Sequence, residues 1–319
     1  MAHYSRSSIQ VSAGAVLGLQ VAALPSRLKK TPFPVGKFAR ANRLPFDPFP
    51  ANWQPHPSVE LLVSVGPADI NLVHEVVAGA LRFSMNPITH VVLLVDDGMD
   101  LPGLAVGLPV TIHEKEALLS DAARTCLRGT FGDRYGWVLQ QFNKLAWSAQ
   151  SESKGVLVVD ADTVLTRPRV FLDSVGSQLL LPTWEYNPPY YRVFDRLGGS
   201  IAGINEHELS FISHHMMMQP VLVREMLNDL GAGSVDKLVT RALASVDIDS
   251  SSQSPLCVDY ELYGQWLSRS QPQNVRLGRW SNLGARRGAS HVQSLRSGRF
   301  SKLGYASVSF HSYLSPLAD

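Results

Sequence analysis

The run Val156-Leu-Val-Val-Asp160-Ala-Asp162-Thr-Val-Leu-Thr-Arg-Pro168 decides how the rest of the chain is read. Four apolar residues in a row describe a strand covered on both faces, the environment of a parallel sheet with helices on either side. Two carboxylates follow, one residue apart, where the strand runs out into a loop. Side chains alternate along an extended backbone, so Asp160 and Asp162 face the same way. Held that close, two negative charges repel unless something positive lies between them. A divalent cation answers that need, and oxygen donors favour Mg2+ or Mn2+ over zinc. The competing reading is that both aspartates cap the following turn and bind nothing.

Upstream, Val59-Glu-Leu-Leu-Val-Ser-Val65 reads as a strand stopped by Gly66-Pro67. From Asp69 to Met85 apolar residues recur at helical spacing, with Asp69 placed as the N-terminal cap. A second strand, His90 to Val95, empties into Asp96-Asp97-Gly98, and Val110 to His113 reads as a third. Tyr135 to Gln150 is an amphipathic helix leading into the opening run. This alternation predicts a single α/β domain with a mainly parallel, Rossmann-like central sheet flanked by helices. Ligands of such sheets sit at the carboxyl ends of strands, where Ser64, Asp96 and Asp160 fall. The second half is less regular. Gln178 to Leu181 reads as a short strand, Trp184 to Tyr191 as an aromatic loop, and Ser210 to Met216 as a strand ending in polar groups. Helical patterns return at Val221 to Leu230, Val235 to Ala244 and Val258 to Leu267. Val275 to Trp280 precedes a Gly/Ser/Arg-rich loop, Ser281 to Ser301, and a last strand lies around Ala306 to Phe310.

The 319 residues suffice for one large α/β domain or two small ones, with ample material for a core. A net charge of +2 with 18% charged residues argues against a nucleic-acid binder. Cys126 and Cys257 have neither zinc spacing nor a disulfide framework, which suits a reducing, cytoplasmic compartment. Nothing reaches the roughly 18 apolar residues of a membrane span; Val11 to Leu24 only weakly resembles a signal-peptide core. Residues 1–55 read as a proline-rich, basic extension, and residues 56–319 as the catalytic domain. Pro25, Pro32, Pro34, Pro45, Pro48, Pro50, Pro55 and Pro57 leave no room for a long element there. Arg27, Lys29, Lys30, Lys37, Arg40 and Arg43 suit either a solvated arm wrapping the domain or peripheral contact with anionic lipid at the inner face of the membrane.

In order, Gly136-Trp-Val-Leu-Gln-Gln-Phe-Asn-Lys-Leu145, Asp160-Ala-Asp162, Trp184-Glu-Tyr186, Ser210-Phe-Ile-Ser-His-His215, Asp259-Tyr-Glu-Leu-Tyr-Gly264 and Phe310-His-Ser312 form a set far more specific than Asp-x-Asp alone. Over about Val59 to Ser315 this set resembles the GT-A-fold glycosyltransferases, and a poorly characterised bacterial group of them in particular. The resemblance implies a nucleoside-diphosphate-sugar donor and a hydroxyl acceptor on a glycan, a lipid-linked saccharide or another surface-polysaccharide precursor. It also implies Mn2+ or Mg2+ held by Asp160 and Asp162, with His311 as a third ligand. Asp259 or Glu261 becomes a candidate general base, although acids in a first helical turn also simply complement the helix dipole. Ser64, Asp96 and Asp97 lie where this fold meets the nucleoside. Gln140 and Lys144 share a helix face, from which Lys144 would reach a phosphate. His214 and His215 are candidates for acceptor or phosphate contact, and Trp184, Tyr186, Tyr190 and Tyr191 for stacking on a sugar or base. Arg286, Arg287, Arg296 and Arg299 lie on a loop that suits either a lid over the diphosphate or a solvated mobile loop.

Two other classes compete. A haloacid-dehalogenase-type phosphatase would use Asp160 as nucleophile and Asp162 as acid. That motif normally opens its fold, whereas here about a hundred ordered residues are expected before it. A non-catalytic descendant would bind nucleotide or sugar without turnover.

Overall fold

Apolar runs bury both faces of a sheet only if helices cover each side, and the chain folds accordingly. The computed structural model describes residues 35–49, 55–101, 103, 106–185, 187–204, 209–246, 256–286, 295 and 298–311. The strands are β1 (Val59–Val65), β2 (Ile88–Val95), β3 (Val110–Glu114), β4 (Val156–Asp160), β5 (Thr163–Leu165), β6 (Gln178–Leu180), β7 (His215–Met218), β8 (Val275–Leu277), β9 (Asn282–Ala285) and β10 (Ser307–Phe310). The helices are α1 (Val35–Asn42), α2 (Val73–Phe83), α3 (Asp121–Phe131), α4 (Tyr135–Gln150), α5 (Pro188–Leu197), α6 (Pro220–Asp229), α7 (Val235–Ser245), α8 (Tyr260–Ser270) and the single turn α9 (Arg299–Lys302).

The central sheet runs β3-β2-β1-β4-β7. Its first four strands are parallel and β7 is antiparallel to β4. Strand alternation sends Leu62, Val92, Leu94, Val156, Val158, Met216 and Met218 to one core, where Phe142, Leu145, Met226, Val239 and Tyr263 of the helices meet them. Leu61, Val63, Val91, Leu93, Leu157, Val159 and Met217 face the other, packed against Val73, Val76 and Val77 of α2 and against Val308 and Phe310. The protein is therefore a mixed α/β fold with a mainly parallel sheet between helices, as the strand and helix alternation predicts.

A second, three-stranded sheet, β5-β10-β9, stands at the carboxyl end of β4. β10 runs antiparallel to β5, and the Phe310 N–H donates to the carbonyl of Asp162 at 2.7 Å. The last described strand is thus stapled to the turn that follows β4. Helix α2 approaches β5 so closely that a Cβ on Gly79 would lie 2.9 Å from the Leu165 carbonyl oxygen. On the opposite face Gly264 of α8 gives the same clearance to Phe211, whose Cβ would be 2.5 Å from an added methyl.

Several local expectations change. Asp69 does not cap α2. Pro67 starts a 3-10 turn, Pro67–Leu72, and α2 begins only at Val73. The expected aromatic loop contains α5, because Pro188 and Pro189 occupy the first helical turn, where a missing N–H leaves nothing unpaired. The strand expected at Ser210 to Met216 lies later, at β7, and Ser210 forms only an isolated bridge to Thr183. The Ser281 to Ser301 loop holds β9 and the start of α9, while Arg287 and Arg296 fall outside the described residues. Helix α3, capped by the Ser120 hydroxyl on the Ala123 N–H, is an addition. The described part of the basic extension packs down. Ala41 and Phe49 are buried, and the carbonyls of Leu44 and Pro45 accept hydrogen bonds from Arg279. Val11 to Leu24 lies outside the described residues. No described helix is long and apolar enough to cross a membrane.

One buried amide ties the two halves of the fold together. Asn86 donates to the carbonyls of Pro57 and Leu172 at 3.1 and 2.7 Å, and its Oδ1 accepts from the N–H groups of Phe171 and Leu172 at 2.9 and 3.1 Å. Asn86→Ala should cost about 2–4 kcal/mol in urea unfolding, since four partners lose their bonds at about 1 kcal/mol each. A loss below about 1 kcal/mol would show that water replaces the amide.

Candidate active site

Asp160 is the last residue of β4, beside Ser64 of β1 in the parallel register. Its N–H donates to the His214 carbonyl at 2.9 Å. Among the described residues His214 is the one non-glycine with positive φ, 65°. That conformation costs a bulky side chain energy and is held by its surroundings. It leaves the His214 ring over the strand end, with Nδ1 3.3 Å from Asp160 Oδ2, while His215 enters β7 and points into the core.

Lys144 reaches the same carboxylate from α4. The residue is 2% exposed, and its ammonium lies 2.7 Å from Asp160 Oδ1 and 2.8 Å from Asp259 Oδ2, with the Tyr260 ring centroid at 4.4 Å. Tyr260 donates its hydroxyl to Asp160 Oδ1 at 2.7 Å. One turn earlier on α4, Gln141 Oε1 accepts from the Val258 N–H at 3.0 Å, so α4 holds the start of α8 by two side chains. The remaining oxygen of Asp259 accepts from Cys257 Sγ at 3.3 Å. Burial alone would discharge Lys144, but Asp160 and Asp259 hold the proton and the net shift is upward. Burial equally opposes the charge of Asp160, yet Lys144 and then His214 hold its carboxyl well below the usual range. His214 moves up, because Asp160 outweighs its burial.

Asp162 lies two residues on. Thr163 Oγ1 donates to Oδ1 at 3.1 Å, and His311 Nδ1 is 3.2 Å from Oδ2. The Phe310 staple described above is what delivers His311 there. Burial opposes ionisation of Asp162, but His311 holds its carboxyl below the ordinary value. The rings of His311 and His214 are 4.9 Å apart, so the two His–Asp pairs stand side by side. Behind them Trp280, with Nε1 on the Ser213 carbonyl, packs edge-on to Trp184, which in turn meets Phe38 of α1.

The carboxylate oxygens on this edge match the ligand preference of Mn2+ or Mg2+. Asp160 and Asp259 share one ammonium, and Asp162 is ion-paired among the described residues only with His311, which leaves negative charge for a divalent ion to balance. Asp160 Oδ2, Asp162 and His311 are the groups that would hold it. As they stand, the side chains are drawn onto one another, and among the described residues no three His, Cys, Asp or Glu groups are already placed around one ion.

The residues expected at the site divide into three sets. Asp160, Asp162, His214, His311, Lys144 and Asp259 come together. Ser64 borders them, with a buried hydroxyl that has no hydrogen-bond partner. Lys144 is spent on two carboxylates rather than open to a phosphate. Trp184 is buried in aromatic packing, and Asp96 is held by Lys115 at 2.8 Å near exposed Asp97. Gln140 is half-buried and makes no hydrogen bond to the cluster among the described residues, whereas Gln141 bonds to the segment that carries Asp259. Glu261 is fully buried and accepts from Tyr191, Ser210 Oγ, the Phe211 N–H and Gln265, which makes it an anchor between α5, α8 and the 209–211 segment. Tyr190 and Tyr191 are buried on α5, and Tyr186 lies outside the described residues. His215 faces Phe171, ring centroids 5.8 Å apart, and neither ring nitrogen has a partner. Tyr260, Trp280 and Glu185 were not singled out from the sequence. Tyr260 and Glu185 lay inside quoted motifs, where their neighbours drew attention; Trp280 ended a segment read only as structure.

No family model matches the chain, and no curated protein matches it in sequence. Among solved structures, the apo form of mouse xyloside xylosyltransferase 1 is similar at 10% identity and a TM-score of 0.42, over 82% of this chain and 99% of that one. A likeness that distant carries no assignment of activity.

Desolvation pushes the His215 pKa down to about 3. The folded protein therefore refuses a proton that the unfolded chain accepts below about 6.5. Stability is lost as pH falls below that value, by about 1.4 kcal/mol per pH unit. Urea unfolding of the protein and of His215→Phe between pH 7.5 and 5 should show the variant gaining on the parent by that slope. Parallel pH profiles would mean that His215 is protonated in the fold.

Proposed function

We propose that the protein is a metal-dependent glycosyltransferase of the GT-A fold, hexosyltransferase-like, which moves a sugar from a nucleoside-diphosphate sugar to a hydroxyl acceptor. The observation that carries this reading is the meeting of Asp160, Asp162 and His311 at the carboxyl edge of a parallel sheet, with His311 brought there from the far end of the described chain. What a bound Mn2+ or Mg2+ supplies is neutralisation of the charge that gathers on the departing diphosphate. Asp162 and His311 would hold the ion, and Asp160 would contribute Oδ2 while Lys144 and Tyr260 fix its other oxygen. Ser64, whose buried hydroxyl lacks a partner, offers a hydrogen bond to the donor beside Asp160. Buried groups of that kind cost free energy unless a ligand satisfies them. Acceptors on glycans, lipid-linked saccharides or other surface-polysaccharide precursors are the proposed class. Contact of the basic amino-terminal arm with anionic lipid at the inner membrane face would bring such acceptors near.

The phosphatase reading fits less well. Asp160 ends the fourth strand of the chain and carries three protein donors, which leaves it poorly placed as a nucleophile. Incubation with Mn2+ and UDP-glucose, UDP-galactose, UDP-xylose or GDP-mannose should release nucleoside diphosphate. Asp162→Ala should slow that release on the order of 100-fold or more. Full Mn2+-dependent turnover in Asp162→Ala would remove the metal site. Phosphate release from p-nitrophenyl phosphate, with the sugar nucleotides untouched, would favour the phosphatase.

A further inference from the structure

His214 is the strained point of the candidate site, and its left-handed turn is held on both sides. Its carbonyl accepts the Asp160 N–H at 2.9 Å, which fixes the peptide that follows it. The peptide before it is fixed by Trp280, whose indole Nε1 donates to the Ser213 carbonyl at 3.2 Å. Together the two bonds clamp both backbone torsions of His214, so a conformation that a free chain rarely visits persists here. Trp280 also lies beside the His214 ring, with 6.1 Å between centroids.

Trp280 is in turn seated by the amino-terminal arm. Phe38 of α1 meets Trp184 edge-on and Trp184 meets Trp280 in the same way, each pair with centroids 4.9 Å apart. Arg279, the residue before Trp280, donates its N–H to the Pro45 carbonyl at 2.8 Å and its Nε–H to the Leu44 carbonyl at 3.1 Å. Arg169, with its guanidinium over the Phe46 ring at 4.4 Å, donates from Nη2 to the carbonyls of Phe46 and Arg279 at 3.3 and 3.0 Å. The arm therefore grips Trp280 twice, by its ring and by the backbone just before it.

We infer that the amino-terminal arm is part of the site's machinery: Phe38 and Trp280 are positioning residues, which set the His214 ring over Asp160 through the Ser213–His214 peptide. His214 Nδ1 lies 3.3 Å from Asp160 Oδ2, the oxygen that would meet the ion, so the place of the ring decides what that oxygen offers. A site group locked by packing and by hydrogen bonds from behind stays in the geometry that a ligand needs. The effect on turnover rests on the glycosyltransferase reading; the effect on the His214 ring does not.

The test uses the full chain, labelled with 13C at histidine and free of metal, and follows the Cε1–H nuclear magnetic resonance signal of His214, assigned by its loss in His214→Ala. Phe38→Ala should move that signal, while the signal of His113, on the edge strand β3, stays in place. Two indole rings separate Phe38 from His214, so the movement reports transmission through them. Phe38→Tyr, which restores the ring, should return the signal to its parent position. Where Phe38→Ala does not fold, Phe38→Leu takes its place. With Mn2+ and a sugar nucleotide that the protein turns over, Phe38→Ala should lower kcat on the order of tenfold, as displacement of a site group does. In a His214→Ala chain the same substitution should change kcat by less than about twofold, because the ring it positions is gone. An unmoved His214 signal overturns the inference, and so does equal movement of the His113 signal, which would mean general loosening. A Phe38→Ala kcat within about twofold of an active parent overturns it, as does a further loss of about tenfold in the His214→Ala chain. A parent that releases no nucleoside diphosphate sinks the glycosyltransferase reading, and the His214 signal then decides the inference by itself.

Discussion

The ammonium of Lys144, buried between Asp160 and Asp259, is the interaction on which the architecture of the site depends. Unit charges about 4 Å apart attract by about 4 kcal/mol at the effective dielectric of a protein. Burying such a pair costs several kcal/mol per ion, so the gain survives only where hydrogen bonds satisfy the remaining valences. Here they do. Two of the ammonium's three N–H groups reach carboxylates, and the Tyr260 ring lies against it at 4.4 Å. The result joins three distant segments, the α4 helix, the end of β4 and the start of α8. It also leaves Asp160 with only Oδ2 facing outward.

A second constraint acts from the other side. Because β10 pairs with β5 and Phe310 is bonded to the carbonyl of Asp162, His311 has nowhere to go but beside Asp162. Two independent devices therefore position the two aspartates: an ion-pair clamp for the first and a strand staple for the second. The His214 ring, held over Asp160 by a left-handed backbone, and the His311 ring, beside Asp162, then stand next to each other. Packing and backbone pairing fix the segments that carry these groups, so that only the side chains, now drawn onto one another, have to turn when a ligand arrives.

Much of the sheet was legible because its signal is local. Apolar runs at Leu61–Val63, Val91–Val95 and Val156–Val159 read as buried strands, and the turn chemistry after each marks its carboxyl end. Asp160 and Asp162 were legible for the same reason. What could not be read was set by partners far along the chain. Lys144 has the spacing of a surface lysine one helical turn from Gln140, and only the arrival of Asp259, 115 residues later, turns it inward. Glu261 has the look of an ordinary first-turn acid until Tyr191, Ser210, Phe211 and Gln265 close around it. Pro188 and Pro189 suggest a loop as readily as the first turn of a helix, and the choice rests on the buried face of α5. The positive φ of His214 could not be read from residue type, since only a few per cent of non-glycine residues adopt it even though histidine is among the more frequent of them.

The strength of the Lys144 clamp is read most directly from a double-mutant cycle in urea, comparing Lys144→Met, Asp259→Asn and the pair. Lys144→Met alone should cost about 3–5 kcal/mol, because it strands two buried carboxylates. The double variant should recover about 2 kcal/mol or more of the summed losses, the coupling expected of a buried, hydrogen-bonded ion pair. Losses that add to within about 0.5 kcal/mol would mean that Lys144 and Asp259 do not hold each other, and that Asp160 is fixed by something else.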